Sequence, residues 1–340
     1  MRAVLVRPVR AVLLAGLVLL PAVTGWLVRE LRTTEGQPAG PLLFEVEKGW
    51  SARGVIGRLR DAGLVRSALA VRLACRAFYP DERFKAGEYR FTPPVEPKAA
   101  LLHVFAGRIH LEPLSVPEGL TGEEIAALLR PGDPEGAAAF RRAVRATELI
   151  ADWDPRAEDL EGYLFPDTYH LPRRATESEI VEAMVGEFRE VFDEDRRLRA
   201  EELGLSVRDA VTLASLIEEE TAVPEERPLV SAVFHNRLRI GMKLDCDPTV
   251  AYALKRAGRY TGRLLVRDLR FESPYNTYLH AGLPPGPISN PGLASLDAAL
   301  HPAAEKYLYF VARGDGGHQF SRTLGEHLEA VRRLRALKKR

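Results

Sequence analysis

An apolar helical run, Ala214-Ser215-Leu216-Ile217, ends in three adjacent carboxylates, Glu218, Glu219 and Glu220, followed by Thr221. Leu213, Ala214, Leu216 and Ile217 are spaced to anchor one helix face in a core. At about 100° per residue the three glutamates fan around the helix instead of sharing a face, so one can stand at a cleft wall while another stays in solvent. A carboxyl leaving an apolar helix at such a wall loses hydration, and its pKa rises toward the range of a general acid. The plain alternative is a solvated acidic helix end. Two downstream segments weigh toward chemistry: Phe234-His235-Asn236-Arg237-Leu238 and the polar-aromatic Ser273-Pro274-Tyr275-Asn276-Thr277-Tyr278.

Other chemistries find little support. The 48 Lys+Arg against 47 Asp+Glu leave a net charge of +1, so no global field favours nucleic acid, and no nucleic-acid partner is expected. The eight histidines offer neither an HExxH motif nor clustered ligand spacing, and no glycine-rich phosphate loop occurs; neither a metal nor a cofactor is expected. Cys75 and Cys246, the two cysteines, lie far apart in different expected domains, so no disulfide is expected.

The elements that must position these residues begin with a compartment signal. Ala11 to Val28 is uncharged over 18 residues, bracketed by Arg2, Arg7 and Arg10 on one side and Arg29 on the other. As a helix it spans about 27 Å, close to the hydrocarbon core of a bilayer. The arginines favour a cytoplasmic N-terminus over residues 1–10, a single-pass transmembrane helix over 11–28 in the cytoplasmic (inner) membrane, and an extracytoplasmic remainder. A cleaved signal peptide with its apolar core at Ala11–Leu20 is the competing reading. Residues 29–40 read as a polar linker containing Gly and Pro.

Residues 41–130 contain a weak internal repeat. A short strand at Phe44–Val46, a turn at Gly49 and a Ser51-capped helix carrying Val55, Ile56 and Leu59 return as Leu114–Val116, Gly119 and a Thr121-capped helix with Ile125, Leu128 and Leu129. Glu124, three residues after Thr121, completes a capping-box pattern. A helix near Ala68–Tyr79, a strand at Gly87–Phe91 and a helix near Lys98–Phe105 lie between the copies. Strand, glycine turn, cap and short helix resemble the LysM-type glycan-binding unit. A connecting helical segment at 131–158 leads to a mixed region at 159–340. There Leu160–Tyr169 reads as strand and turn, and long helices are expected at Glu177–Leu203 and Val207–Glu219. Another helix starts at Pro224, Asp247 caps one over Val250–Leu254, and Tyr307–Val311 reads as a buried strand. Without regular βαβ alternation, the fold class is α+β.

Four segments together, LEGYLFPDTY at Leu160–Tyr169, ASLIEEET at Ala214–Thr221, FHNRLRIGMKLDCDPTVAY at Phe234–Tyr252 and SPYNTYLHAGLPPGPISNPGLAS at Ser273–Ser295, resemble the membrane-anchored endolytic murein transglycosylases of the YceG-like family. The resemblance implies an endolytic lytic transglycosylase that cleaves the MurNAc–GlcNAc bond of nascent peptidoglycan strands, leaves 1,6-anhydro-MurNAc ends and terminates glycan polymerisation. It places the catalytic acid on Glu220, with Glu218 in reserve, and departs from the family's usual basic residue at Glu219. One carboxyl suffices because the sugar's own 6-hydroxyl acts as nucleophile, whereas a hydrolase needs two. Asn236, Tyr275, Asn276, Thr277 and Asn290 offer donors and acceptors for N-acetyl and hydroxyl groups, and Tyr275 and Tyr278 offer stacking faces; loop capping or core packing is the alternative for each. Glu161 and His318 are assigned near the cleft, and Arg237 to a substrate carboxylate or a structural ion pair. Peptidoglycan strands, the membrane and peptidoglycan synthases (penicillin-binding proteins) are the partners implied. Two other functions stay open: a noncatalytic LysM-like wall-binding scaffold, and a peptidoglycan hydrolase pairing Glu220 with Glu161 or Asp247.

Overall fold

The computed structural model describes residues 6–337, with side chains described from 19 to 335. The chain divides into two compact units, Met1–Glu112 with His170–Arg174, and Pro113–Tyr169 with Ala175–Arg340.

The first unit contains α1 (Val6–Arg32), β1 (Leu42–Val46), α2 (Ala52–Asp61), α3 (Ala68–Phe78), β2 (Gly87–Phe91) and α4 (Pro97–Ala106). β1 and β2 pair antiparallel, with Leu42 opposite Phe91 and Phe44 opposite Tyr89. The period-2 alternation turns Phe44 and Val46 inward onto Val55, Ile56, Leu59, Leu101 and Val104. Ser51 caps α2 by accepting the N–H of Gly54. Two expectations change here. The first helix does not stop at residue 28 but runs to Arg32, and its last turns bury Leu27, Glu30 and Leu31 while packing toward α3 and α4. Among the described residues no helix is long and apolar enough to cross a membrane. Residues 1–5, and the side chains of 11–18 within the expected span, lie outside the described residues. The linker is also anchored: the Gln37 amide donates to the carbonyls of Leu64 and Val95 and accepts the Val95 N–H at 2.8 Å.

The second unit takes in β3 (Leu111–Ser115), α5 (Gly122–Leu129), α6 (Pro134–Ala143), β4 (Thr168–Pro172), α7 (Glu177–Val191), α8 (Glu194–Glu202) and α9 (Val207–Glu220). It continues with α10 (Arg227–Arg239), α11 (Asp247–Arg256), α12 (Leu293–Leu300), β5 (Tyr309–Ala312), β6 (His318–Ser321) and α13 (Leu324–Leu337). β3 pairs with β4, the boundary between the units passing through both strands, and β5 pairs with β6. Three separate two-stranded ribbons among helices make the class α+β. Both copies of the repeat adopt the same plan: Gly49 and Gly119 take φ of 88° and 79°, a turn conformation that favours glycine, and Ser51 and Thr121 cap the helix that follows.

Every residue from Ala210 to Ile217 is buried, because α9 is flanked by α10, α11 and α12. Beside it, Tyr163, Phe188 and Phe192 are fully buried, and Trp153 lies edge-on to Phe188 between the guanidinium groups of Arg189 and Arg197, 4.3 and 4.7 Å from its ring. A buried ion pair joins Arg208 to Asp154 at 2.6 Å, and the Tyr163 hydroxyl donates to the same carboxylate. Some boundaries differ from expectation. The single helix at 177–203 is two, because the Asp193 side chain accepts the N–H of Arg196 and starts a new one. Residues 160–167 form turns, the strand beginning only at Thr168. β5 is half-buried rather than buried, and Asp247 is the first residue of α11 rather than its cap.

Gly162 holds φ 87°, and a Cβ there would lie 2.4 Å from Pro287 and 2.9 Å from Val211. Gly162→Ala combines a left-handed backbone with overpacking against a rigid ring, so it should lower unfolding stability by about 3 kcal/mol, measured by urea denaturation.

Candidate functional site

The three glutamates at the end of α9 do separate. Glu218 turns to a neighbouring loop, where it accepts the Gly292 N–H at 3.0 Å and meets Arg227 at 3.4 Å. Glu219 is exposed, with the Lys255 ammonium in electrostatic reach. Glu220, the last residue of the helix, is half-buried against the start of α11. The Cys246 thiol donates toward its carboxylate, and Arg237 also favours the charged form. Loss of hydration outweighs both and, with Asp247 and Glu219 adding like charge, pushes the Glu220 carboxyl up to about 7. The carbonyl-rich C-terminal end of α9 acts in the same direction. Near neutral pH this carboxyl therefore exchanges a proton readily, as a general acid–base group must.

The wall facing Glu220 is itself fixed. The Cys246 N–H donates to Thr277 Oγ1 at 3.0 Å, Thr249 Oγ1 donates to the Cys246 carbonyl, and Tyr278 donates its hydroxyl to Asp247 at 2.6 Å. Asp247, the second carboxylate of the hydrolase alternative, adjoins the acid, and so does Cys246, which no sequence expectation places in the site. The sequence signal for Cys246 is its place in the DCDPT stretch after the glutamates.

Several residues expected to bind substrate have their polar atoms consumed within the protein. Asn236 donates to the carbonyls of Glu305 and Tyr307 and accepts from Arg239 at 2.7 Å. Arg237 is buried, donates to the carbonyls of Leu308 and Leu244, and pairs with Asp245 at 3.5 Å, so the structural ion pair is the arrangement present. Asn276 donates to the carbonyls of Leu269 and Phe271 and accepts the Tyr278 N–H. Thr277 serves Cys246 and Thr249. Asn290 accepts the N–H groups of Gly162 (2.8 Å) and Leu164 (2.9 Å) and donates to the Leu120 carbonyl and to Glu161. These polar residues support loops from inside, where an unpaired amide or hydroxyl would be costly. His318 is turned to Glu226, its Nδ1 at 2.6 Å.

The remaining two face cavities. Tyr275 lines one of about 490 Å³ with Arg208 and Arg256, its ring 5.0 Å from Tyr252. Glu161 lines another of about 630 Å³, accepting the Gly122 N–H at 2.9 Å, and desolvation pushes its carboxyl up to about 8. Among the described residues no group of His, Cys, Asp and Glu could hold a metal ion.

These features define an α+β protein built around an acid-bearing helix end. The sequence matches the YceG-like family over residues 44–333, and the chain belongs to that family. It is similar to the protein named endolytic murein transglycosylase in Bacillus subtilis (strain 168), 45% identical over 172 residues that cover 50% of this chain and 47% of that protein. The protein of the same name from Streptococcus pneumoniae (strain ATCC BAA-255 / R6) is 29% identical over 301 residues, covering 78% and 53%. The chain thus spans about half the length of these curated relatives. A crystal structure of a yceG-like protein from Listeria monocytogenes superposes with a TM-score of 0.57 at 30% identity, covering 85% of this chain and 98% of that one.

Asn290→Ala leaves the N–H groups of Gly162 and Leu164 without their acceptor and Glu161 without one of its donors. A loss of about 3 kcal/mol or more is expected in chemical denaturation, and a melting temperature equal to wild type would contradict the role given to this amide.

Proposed function

We propose that this chain is an endolytic peptidoglycan lytic transglycosylase, cleaving the MurNAc–GlcNAc bond of glycan strands to leave 1,6-anhydro-MurNAc ends and so ending strand growth. The observation that carries the reading is the half-buried Glu220 carboxyl, raised to about 7 at the end of a buried helix. In its protonated form it donates to the departing glycosidic oxygen. As a carboxylate it then removes the proton of the muramyl 6-hydroxyl while that oxygen closes on C1. The nucleophile sits in the same ring, so proximity replaces a second protein group. The names of the curated relatives support this reading.

A second reading, hydrolysis, is favoured by Asp247, a second carboxylate whose charge acts on Glu220. Glu161 is the weaker choice for that base, since its carboxyl is engaged by Gly122 and Asn290. We further propose that the uncharged stretch at 11–28 anchors the chain in the cytoplasmic membrane with its N-terminus inside. In this picture the twice-used strand, turn and capped helix bind glycan in the manner of LysM, and peptidoglycan synthases supply the nascent strand.

Mass spectrometry of digested sacculi separates the readings: anhydro ends for the transglycosylase, reducing ends for the hydrolase, no products for a scaffold. Glu220→Gln should lower turnover by about 10²- to 10⁴-fold; an unaffected rate removes Glu220 from the chemistry. Because the acid must enter the step protonated and titrates at about 7, kcat/KM should hold below that pH and fall about tenfold per unit above it, as a pH–rate profile on purified strands will show.

A further inference from the structure

The 630 Å³ cavity beside Glu161 takes no part in the mechanism above, and its charges are incompletely paired. Arg141 is joined to Glu123 at 2.6 Å and Lys255 to Glu124 at 2.8 Å, so these four cancel. Two guanidinium groups remain, those of Arg145 and Arg256, and among the described residues neither forms an ion pair within 4 Å. Arg256 is held in place without being neutralised: it lies 5.7 and 5.4 Å from the Tyr252 and Tyr275 ring centroids and donates to both hydroxyls. One carboxylate, Asp159, also remains, accepting the Glu161 N–H at 3.1 Å.

Two cations and one anion without close partners, around a cavity of ligand size, match a small zwitterionic acid better than a neutral sugar. A phosphate chain carries no cation for the remaining carboxylate, Asp159, which a free amine would meet. Desolvation of Glu161 keeps its carboxyl uncharged near neutral pH, so it adds a hydrogen-bonding group to the wall rather than another repelling charge. The cavity also borders the acid-bearing helix end, since Lys255 on its wall lies in electrostatic reach of Glu219, the residue next to Glu220.

We propose that this cavity is a subsite for the peptide substituent of the glycan strand, its carboxylates meeting Arg145 and Arg256 and its free amine meeting Asp159. The proposal rests on the glycan-cleaving reading and adds a preference to it: strands that carry acidic peptides are cut faster than strands stripped of them. Arg145 is the group to test, because its side chain is exposed and, among the described residues, no side-chain hydrogen bond ties it to the fold.

The experiment compares kcat/KM on intact strands and on the same strands after amidase removal of the peptides, for the wild type and for Arg145→Glu. The wild type should prefer peptide-bearing strands, and the variant should reduce the ratio of the two kcat/KM values about tenfold, the scale of one charge-assisted contact. An unchanged ratio overturns the subsite. In a second measurement, Glu220→Gln protein, whose turnover is strongly reduced, is titrated with a synthetic tripeptide bearing two carboxylates and one amine. Saturable binding that Arg145→Glu weakens about tenfold supports the proposal; absence of binding, or binding indifferent to Arg145, refutes it. Failure of the glycan-cleaving reading looks different, since the wild type would then release no products from either kind of strand while the titration still reports on the cavity.

Discussion

The side-chain amide of Asn290 holds together the ground on which the acid stands. Its oxygen takes two backbone N–H groups from the 162–164 turn, and its nitrogen reaches the Leu120 carbonyl and Glu161, so three segments remote in sequence meet at one buried group. In a low-dielectric interior such a network is favourable only when complete, because each orphaned donor or acceptor costs about 1–3 kcal/mol. With Asn290 in place, the proline-rich loop before it lies along α9, Ile288 donating its N–H to the buried Ser215 hydroxyl and Gly292 donating to Glu218. The end of the acid-bearing helix is thereby clamped on one side by this loop and bounded on the other by Cys246 and Asp247.

That confinement accounts for how three identical side chains in a row acquire three characters. The helical turn directs Glu218 to a loop N–H and an arginine, Glu219 outward, and Glu220 to a thiol and a second carboxylate. A thiol is a weak donor, too weak to offset lost hydration, so the Glu220 carboxyl is raised to about 7; desolvation raises Glu219 as well, against the nearby Lys255 ammonium. Replacing that thiol by a stronger donor would move the acid back toward an ordinary carboxylate.

Much of this was legible in the residues themselves. The caps at Ser51 and Thr121, the glycine turns before them and the course of α9 all follow from local rules, and each appears where those rules put it. The fan of glutamates followed from helical geometry alone. Harder to read were the partners of polar residues. Asn236, Asn276 and Asn290 are the residue types a sugar site uses, but amides also serve as internal ties, and sequence does not say whether the carbonyls they satisfy come from a substrate or from the protein's own loops, near in the chain for Asn276 and far for Asn236 and Asn290. The Asp154–Arg208 pair and the cavity beside Glu161 were missed for the same reason, since both are made by segments more than 50 residues apart. The break at Phe192 was hidden because Asp193 sits in a strongly helical context, and only its capping bond separates the two halves.

Tryptophan is unevenly distributed between the two units. Trp26 and Trp50 belong to the first, and Trp153 stands alone in the second, edge-on to Phe188 and sandwiched by two guanidinium groups. Indole emission is sensitive to nearby charge and to solvent entry. A chain with phenylalanine at 26 and 50 would therefore carry an optical reporter confined to the acid-bearing unit, able to tell its loosening from that of its neighbour.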